Sequence, residues 1–203
     1  MTMHSGEVYD TGRTERLVVR VGTAESGGQR LLADLYVRPG GGRVPPHVHP
    51  TIEEAFTVIH GALGIWVAGK TRVLTAGEGR RIPPGTPHSW WSVGSVEARV
   101  LFDVHPAGRF EEQWRRFMGL QQDGKTNAKG VPSFLQITAI LRAFPDVGHM
   151  AGLPLILQRA LFALLAPIAR ARGYEGRHEA YLTRAPSATV DLEPLPDYLR
   201  NRT

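Results

Sequence analysis

Gly41-Gly42-Arg43-Val44-Pro45-Pro46-His47-Val48-His49-Pro50-Thr51-Ile52-Glu53-Glu54, followed by Pro83-Pro84-Gly85-Thr86-Pro87-His88, puts three imidazoles and a carboxylate into one short region. On an extended strand His47 and His49, two positions apart, point to one face, as two ligands of a single ion require. Pro50 then turns the chain toward Glu54. The rigid Pro83-Pro84-Gly85 turn sets the approach of His88. Three His nitrogens and one carboxylate oxygen are the donors of a divalent first-row metal: Fe, Mn, Zn or Ni. Four protein ligands leave positions for water or substrate where the ion takes five or six.

Glu53 competes with Glu54 for the carboxylate role. Strand parity counted from His49 favours Glu53, but the turn at Pro50 breaks that count. The six-residue step from Glu54 to Gly61 selects Glu54.

Working outward, short apolar or alternating runs at 17–21, 31–38, 55–59, 63–67, 72–74, 79–82, 88–93 and 98–104 read as strands, with glycines at the turns between them. Eight short strands at this spacing predict a closed barrel or a jelly roll. After Pro106 the period becomes helical. Residues 110–120 place Phe110, Trp114, Phe117 and Met118 on one face, 132–144 open with a first-turn proline, and 153–172 carry a broad stripe from Leu153 to Ile168. That third segment is broken by Gln158, Arg159 and Pro167, so it reads as a helix packed on protein, with no spanning helix and no membrane contact expected. The expected organisation is a barrel with N-terminal strands over 1–105, a helical extension over 106–174, and a mostly coil tail over 175–203.

The 203 residues are 42% hydrophobic, enough for a core of their own. Cysteine is absent, which removes disulfides, thiolate ligands and a cysteine nucleophile. Residues 1–105 hold 11 Lys and Arg against 10 Asp and Glu, and 106–203 hold 13 against 9, so most of the net +5 is scattered through the second half. The excess forms no basic run with interleaved aromatics, so no nucleic-acid partner is expected. Residues 1–12 are polar and lack the apolar stretch of a secretory signal, and the expected location is cytoplasmic.

Written as spacings, 41–61 read G-x5-H-x-H-x4-E-x6-G and 77–92 read G-x5-P-x-G-x2-H-x3-S, with fifteen residues between them. This resembles the paired signature motifs of the cupin superfamily and departs from them only where Ser92 stands for Asn. The resemblance covers roughly 28–105. It implies a mainly β fold, a double-stranded β-helix (jelly-roll) barrel followed by a small α-helical extension, with one divalent transition metal held by His47, His49, Glu54 and His88. Residues 106–174 resemble, less specifically, a helical extension found after the cupin domain in uncharacterised bacterial proteins, through Asp123-Gly124-Lys125-Thr126-Asn127 and Gly173-Tyr174.

Alternation from Glu54 and His88 sends Phe56, Trp90 and Ser92 inward as pocket candidates. Such a pocket suits a small organic molecule, aromatic or carbonyl-containing, better than a phosphorylated sugar. The expected function is dioxygenase-like or isomerase/cyclase-like; the alternative is a non-catalytic metal- or ligand-binding cupin. Cupin barrels are often dimeric, which together with the apolar helices predicts a homodimer. No second acid or base is evident, and the remaining histidines, His149 among them, read as structural or solvent-exposed.

Overall fold

In the computed structural model, which describes residues 2–200, two antiparallel sheets face each other across an apolar core. The strands are β1 (Glu7–Asp10), β2 (Glu15–Val21), β3 (Leu31–Val37), β4 (His47–Val48), β5 (Glu53–His60), β6 (Ala62–Val67), β7 (Lys70–Thr75), β8 (Gly79–Ile82), β9 (His88–Ser92) and β10 (Ala98–His105). Helices α1 (Phe110–Gln122) and α2 (Phe134–Ala143) follow, then β11 (His149–Met150), α3 (Leu155–Ala171), α4 (Glu179–Thr183), β12 (Ala188–Thr189) and α5 (Asp197–Arg200). Residues 201–203 of the expected tail lie outside the described residues.

One sheet runs β12-β1-β2-β3-β10-β5-β8 and the other β11-β4-β9-β6-β7. The architecture is therefore a jelly-roll-like sandwich followed by helices, and the closed barrel among the sequence expectations is not formed. Both sheets keep free ends, because the pairings stop at β8 and β7 instead of joining across the layers.

Period-two patterning produces this core. In β5, Glu54, Phe56 and Val58 are buried while Glu53, Ala55 and Thr57 are half-buried, and β10 buries Val100, Phe102 and Val104 against them. The eight expected strands are all present. The four strands that sequence reading passed over, β1, β4, β11 and β12, are two to four residues long, too short for a periodic signal.

Helix α1 lies against the sheet core through Phe110, Trp114 and Met118, and Trp114 meets Phe102 edge-on at 4.9 Å. Helix α2 starts two residues later than the proline suggests. Ser133 is its N-cap, the side-chain oxygen accepting from the Gln136 backbone N–H at 3.3 Å, and Pro132 precedes it.

Helix α3 buries Gln158, Phe162 and Ala169 and leaves Ile156, Leu157, Leu164 and Ile168 exposed, so its packed face is narrower than the apolar stripe. Gln158 uses both ends of its amide: Oε1 accepts from the Met150 N–H, and Nε2 donates to the carbonyls of Met150 and Leu153. This braces β11, which pairs with β4, the strand that carries His47.

The C-terminal segment straps the sandwich. Tyr181 packs over Gly119 and donates to Asp123 at 2.8 Å, β12 extends the first sheet along β1, and Leu195 and Leu199 bury against Leu32 and Leu101. Among the described residues no helix is long and apolar enough to cross a membrane.

Candidate metal centre

Short strands deliver the four candidate ligands. His47 begins β4 and pairs in register with His88, the first residue of β9, while His49 follows immediately after β4 and Glu54 is the second residue of β5. The donor atoms of His47, His49, Glu54 and His88 all lie within 4.8 Å of one another. Two ligands on opposite sides of one ion, each at about 2.1 Å, stand about 4.2 Å apart, so a single ion fits with a sub-ångström contraction.

The hydrogen bonds around the histidines decide which nitrogen faces inward. Each Nδ1 lies against a backbone carbonyl: His47 on Pro45 at 2.9 Å, His49 on Val147 at 2.6 Å, His88 on Thr86 at 2.9 Å. A proton on each Nδ1 leaves the three Nε2 atoms as lone-pair donors converging on Glu54, the tautomer a metal ligand needs.

His88 Nε2 stands 2.8 Å and His49 Nε2 3.4 Å from the Glu54 oxygens, and the buried His49 Nε2 has no hydrogen-bond partner. Lone pairs facing a buried carboxylate repel unless a cation or protons sit between them. The residues present fit a divalent ion.

The charge balance agrees. Burial first, then the neighbouring His88 and His49, push His47 down to about 3, so it is neutral at physiological pH. Burial works against charge at His49, but the Glu54 carboxylate overcomes it and raises the imidazole. Burial likewise opposes ionisation of Glu54, yet His49 and His88 hold it well below the usual carboxylate range. Negative charge is thus concentrated at the point where the nitrogens converge. Glu53 points away and pairs with Arg81.

Beside the cluster lies a cavity of about 160 Å³ whose mostly apolar wall includes five aromatic rings, Trp90, Phe102, Phe110, Trp114 and Phe117. His47, His49 and Glu54 form one part of its lining. Of the pocket candidates from sequence, Trp90 lines it. Phe56 is fully buried behind the wall, 4.8 Å from the Phe102 ring and 6.2 Å from Trp90, and does not line it. Ser92 sits beyond the cavity at the end of β9, opposite Leu63, where the strand has run past the open space.

Sequence reading missed Glu15, Trp114, Gln121 and His149 as lining residues. Trp114 carried a signal as part of an apolar helical face. His149 reaches the cavity because β11 docks on β4, and Glu15 because β2 faces α1, neither of which leaves a local trace.

Residues 34–104 match the family model for the cupin domain. These residues, about a third of the chain, form a cupin domain. Among curated relatives, the chain is 39% identical over 70 residues to polyketide synthase CurC of Streptomyces cyaneus, covering 34% of this chain and 45% of that protein. It is 35% identical over 103 residues to the probable oxidoreductase virH of Hypocrea virens, covering 47% of each. The match thus spans less than half the length of either relative. Among solved structures, KdgF from Halomonas sp. superposes with a TM-score of 0.43 at 18% identity, covering 49% of this chain and 86% of that one.

Proposed function

We propose that this cupin is a mononuclear metalloenzyme acting on a small, planar organic molecule, aromatic or carbonyl-containing, by dioxygenase-like or isomerase/cyclase-like chemistry. The observation that carries the reading is the orphaned Nε2 of His49 beside Glu54, at the edge of an aromatic cavity. His47, His49, Glu54 and His88 would hold the ion. A divalent ion there supplies Lewis acidity toward a carbonyl or enol oxygen, or, as Fe(II), a site for dioxygen chemistry.

The remaining work falls to the chain itself. The carbonyls of Pro45, Val147 and Thr86 fix the three rings in the binding tautomer. Trp90, Phe102, Phe110 and Trp114 offer flat apolar faces that orient a planar ligand and keep water from it. The names of the relatives, a polyketide synthase and a probable oxidoreductase, support organic small-molecule chemistry.

Metal analysis of untagged protein, followed by oxygen-uptake and isomerisation assays with flavonols and β-diketones, tests the reading. One transition-metal ion per chain with turnover of either kind supports it. A full complement of metal without turnover leaves the non-catalytic binding cupin, and absence of metal overturns the site.

Within the same reading the protein is a homodimer and located in the cytoplasm. The exposed Ile156, Leu157, Leu164 and Ile168 of α3 form an apolar face that a second copy would cover. Leu164→Glu should convert the dimer to a monomer in light scattering; a wild-type monomer overturns this part.

A further inference from the structure

The cavity has a second polar pole. Glu15, the first residue of β2, lines it with only 4% of its surface exposed. Its backbone is already engaged, the N–H donating to Thr11 Oγ1 and the carbonyl accepting from the same hydroxyl, so the carboxyl is free of any local capping duty. Gln121 Nε2 donates to Oε1 at 3.3 Å, and Trp114 donates a second hydrogen bond to the carboxyl. Gln121 is held in that orientation because its Oε1 accepts from the Thr14 hydroxyl.

Both donors are neutral, and burial, Trp114 and Gln121 are the influences that act on this carboxyl. A buried carboxylate without a cation is costly for a fold that needs only to pack. At the other oxygen the space is kept open by a glycine. A Cβ on Gly42, itself at φ +52, would stand 3.7 Å from Glu15 Oε2 and 3.2 Å from the Trp90 ring.

Sheet register places this pole away from the candidate metal ligands. Glu15 pairs with Val37, which pairs with Ala98, whereas Glu54 pairs with Val104, six residues further along β10. The two carboxylates therefore reach the cavity from different positions along the sheet. Trp90, Phe102, Phe110 and Trp114 line the same cavity.

We propose that Glu15 is a substrate-contacting acid/base residue, and that the ligand of this cavity is a planar molecule with a hydroxyl or enol group at the end remote from the metal cluster. This rests on the small-molecule reading of the site. The substrate hydroxyl donates to Glu15 Oε2. In the proton-transfer step its O–H bond breaks, the proton moves to the carboxylate, and the electron pair stays on the substrate oxygen; the proton returns before product leaves. Burial pushes the Glu15 carboxyl up to about 7, against the pull of Trp114 and Gln121, so both protonation states are accessible near neutral pH.

The charged and titratable groups around Glu15 are engaged or distant. Arg38 touches the Glu15 carbonyl and is paired with Asp10. Arg43 and Lys129 stand exposed at the cavity rim, His149 lines the wall from β11, and His47, His49 and Glu54 belong to the candidate metal cluster.

The test uses the full chain as purified and a pair of probes whose carbonyl is insulated from the phenol, 4-(4-hydroxyphenyl)butan-2-one and its methyl ether 4-(4-methoxyphenyl)butan-2-one, with binding read by quenching of tryptophan fluorescence and by calorimetry. Wild type should bind the hydroxy compound about tenfold or more tightly than the ether, and that preference should grow as pH rises through about 7. Glu15→Gln should abolish both the preference and its pH dependence while metal content stays at the wild-type value. No preference in wild type, or an undiminished preference in Glu15→Gln, overturns the proposal. Should Glu15→Gln fail to fold, the wild-type pH profile decides alone, a flat profile counting against Glu15. A hydroxyl preference that depends on Glu15 in protein that binds no metal would sustain this proposal while removing the metalloenzyme reading.

Discussion

Two stretches of the chain meet at the same cavity and are built by different rules. Residues 47–88 present their functional side chains through local geometry: two histidines a strand-period apart, a turn, a carboxylate, a proline turn and a third histidine. Residues 110–150 contribute Phe110, Trp114, Gln121 and His149 only because helix α1 lies on the sheets and β11 docks against β4. The first region can hold an ion; the second decides what can lie beside it. They touch directly where the Val147 carbonyl, from the second region, accepts from His49 Nδ1 in the first.

The largest effect is expected from breaking the first region alone. His49→Ala or His88→Ala should reduce bound metal from about one per chain to near zero, measured by elemental analysis, since three donors with an open gap hold a divalent ion far more weakly than four. Full metal content in both variants would sink the ligand assignment.

A smaller effect belongs to the cavity wall. Glu15 titrates near 7 instead of at its ordinary 4.5, because burial penalises its charged form. The folded state therefore holds a proton that the unfolded chain has already lost between those values. Stability from this group is complete below about 4.5 and falls as pH rises through 7, by on the order of 3 kcal/mol. Urea denaturation at pH 5 and pH 8 should show that fall in wild type, and Glu15→Gln should flatten it. An equal fall in the variant would assign the pH dependence elsewhere.

The smallest expected effect lies at the junction. A Cβ on Gly148 would stand 3.2 Å from His49 Nδ1 and 3.2 Å from the Val48 carbonyl oxygen. Gly148→Ala should tilt the ring off its carbonyl and weaken metal affinity about 10- to 100-fold, the range found when a ligand's supporting hydrogen bond is removed. Competition with a chelator reads it directly, and unchanged affinity would show that the two regions are independent.

Much of the first region is legible in the amino-acid sequence. The spacing from Glu54 to Gly61 chooses between two adjacent glutamates, and the structure sets Glu54 among the histidines while Glu53 faces Arg81. Strand alternation puts Phe56 and Trp90 inward, and both are buried. Alternation tells inside from outside but not where along a strand the empty space lies, and for that reason Phe56 fills core and Ser92 falls beyond the cavity. The stripe on α3 is apolar as its periodicity predicts, yet periodicity does not say how much of a stripe a neighbour covers.

The sequence by itself determined eight of the strands, the turns between them and the four candidate ligands, because those depend on side-chain period, on proline and glycine stereochemistry and on donor chemistry, all of which act over a few residues. Only the tertiary structure decided the second wall of the cavity. Glu15 and Gln121 are 106 positions apart, and His149 and Val48 pair across a two-residue strand. Such contacts arise from how whole elements pack, and no local pattern records them.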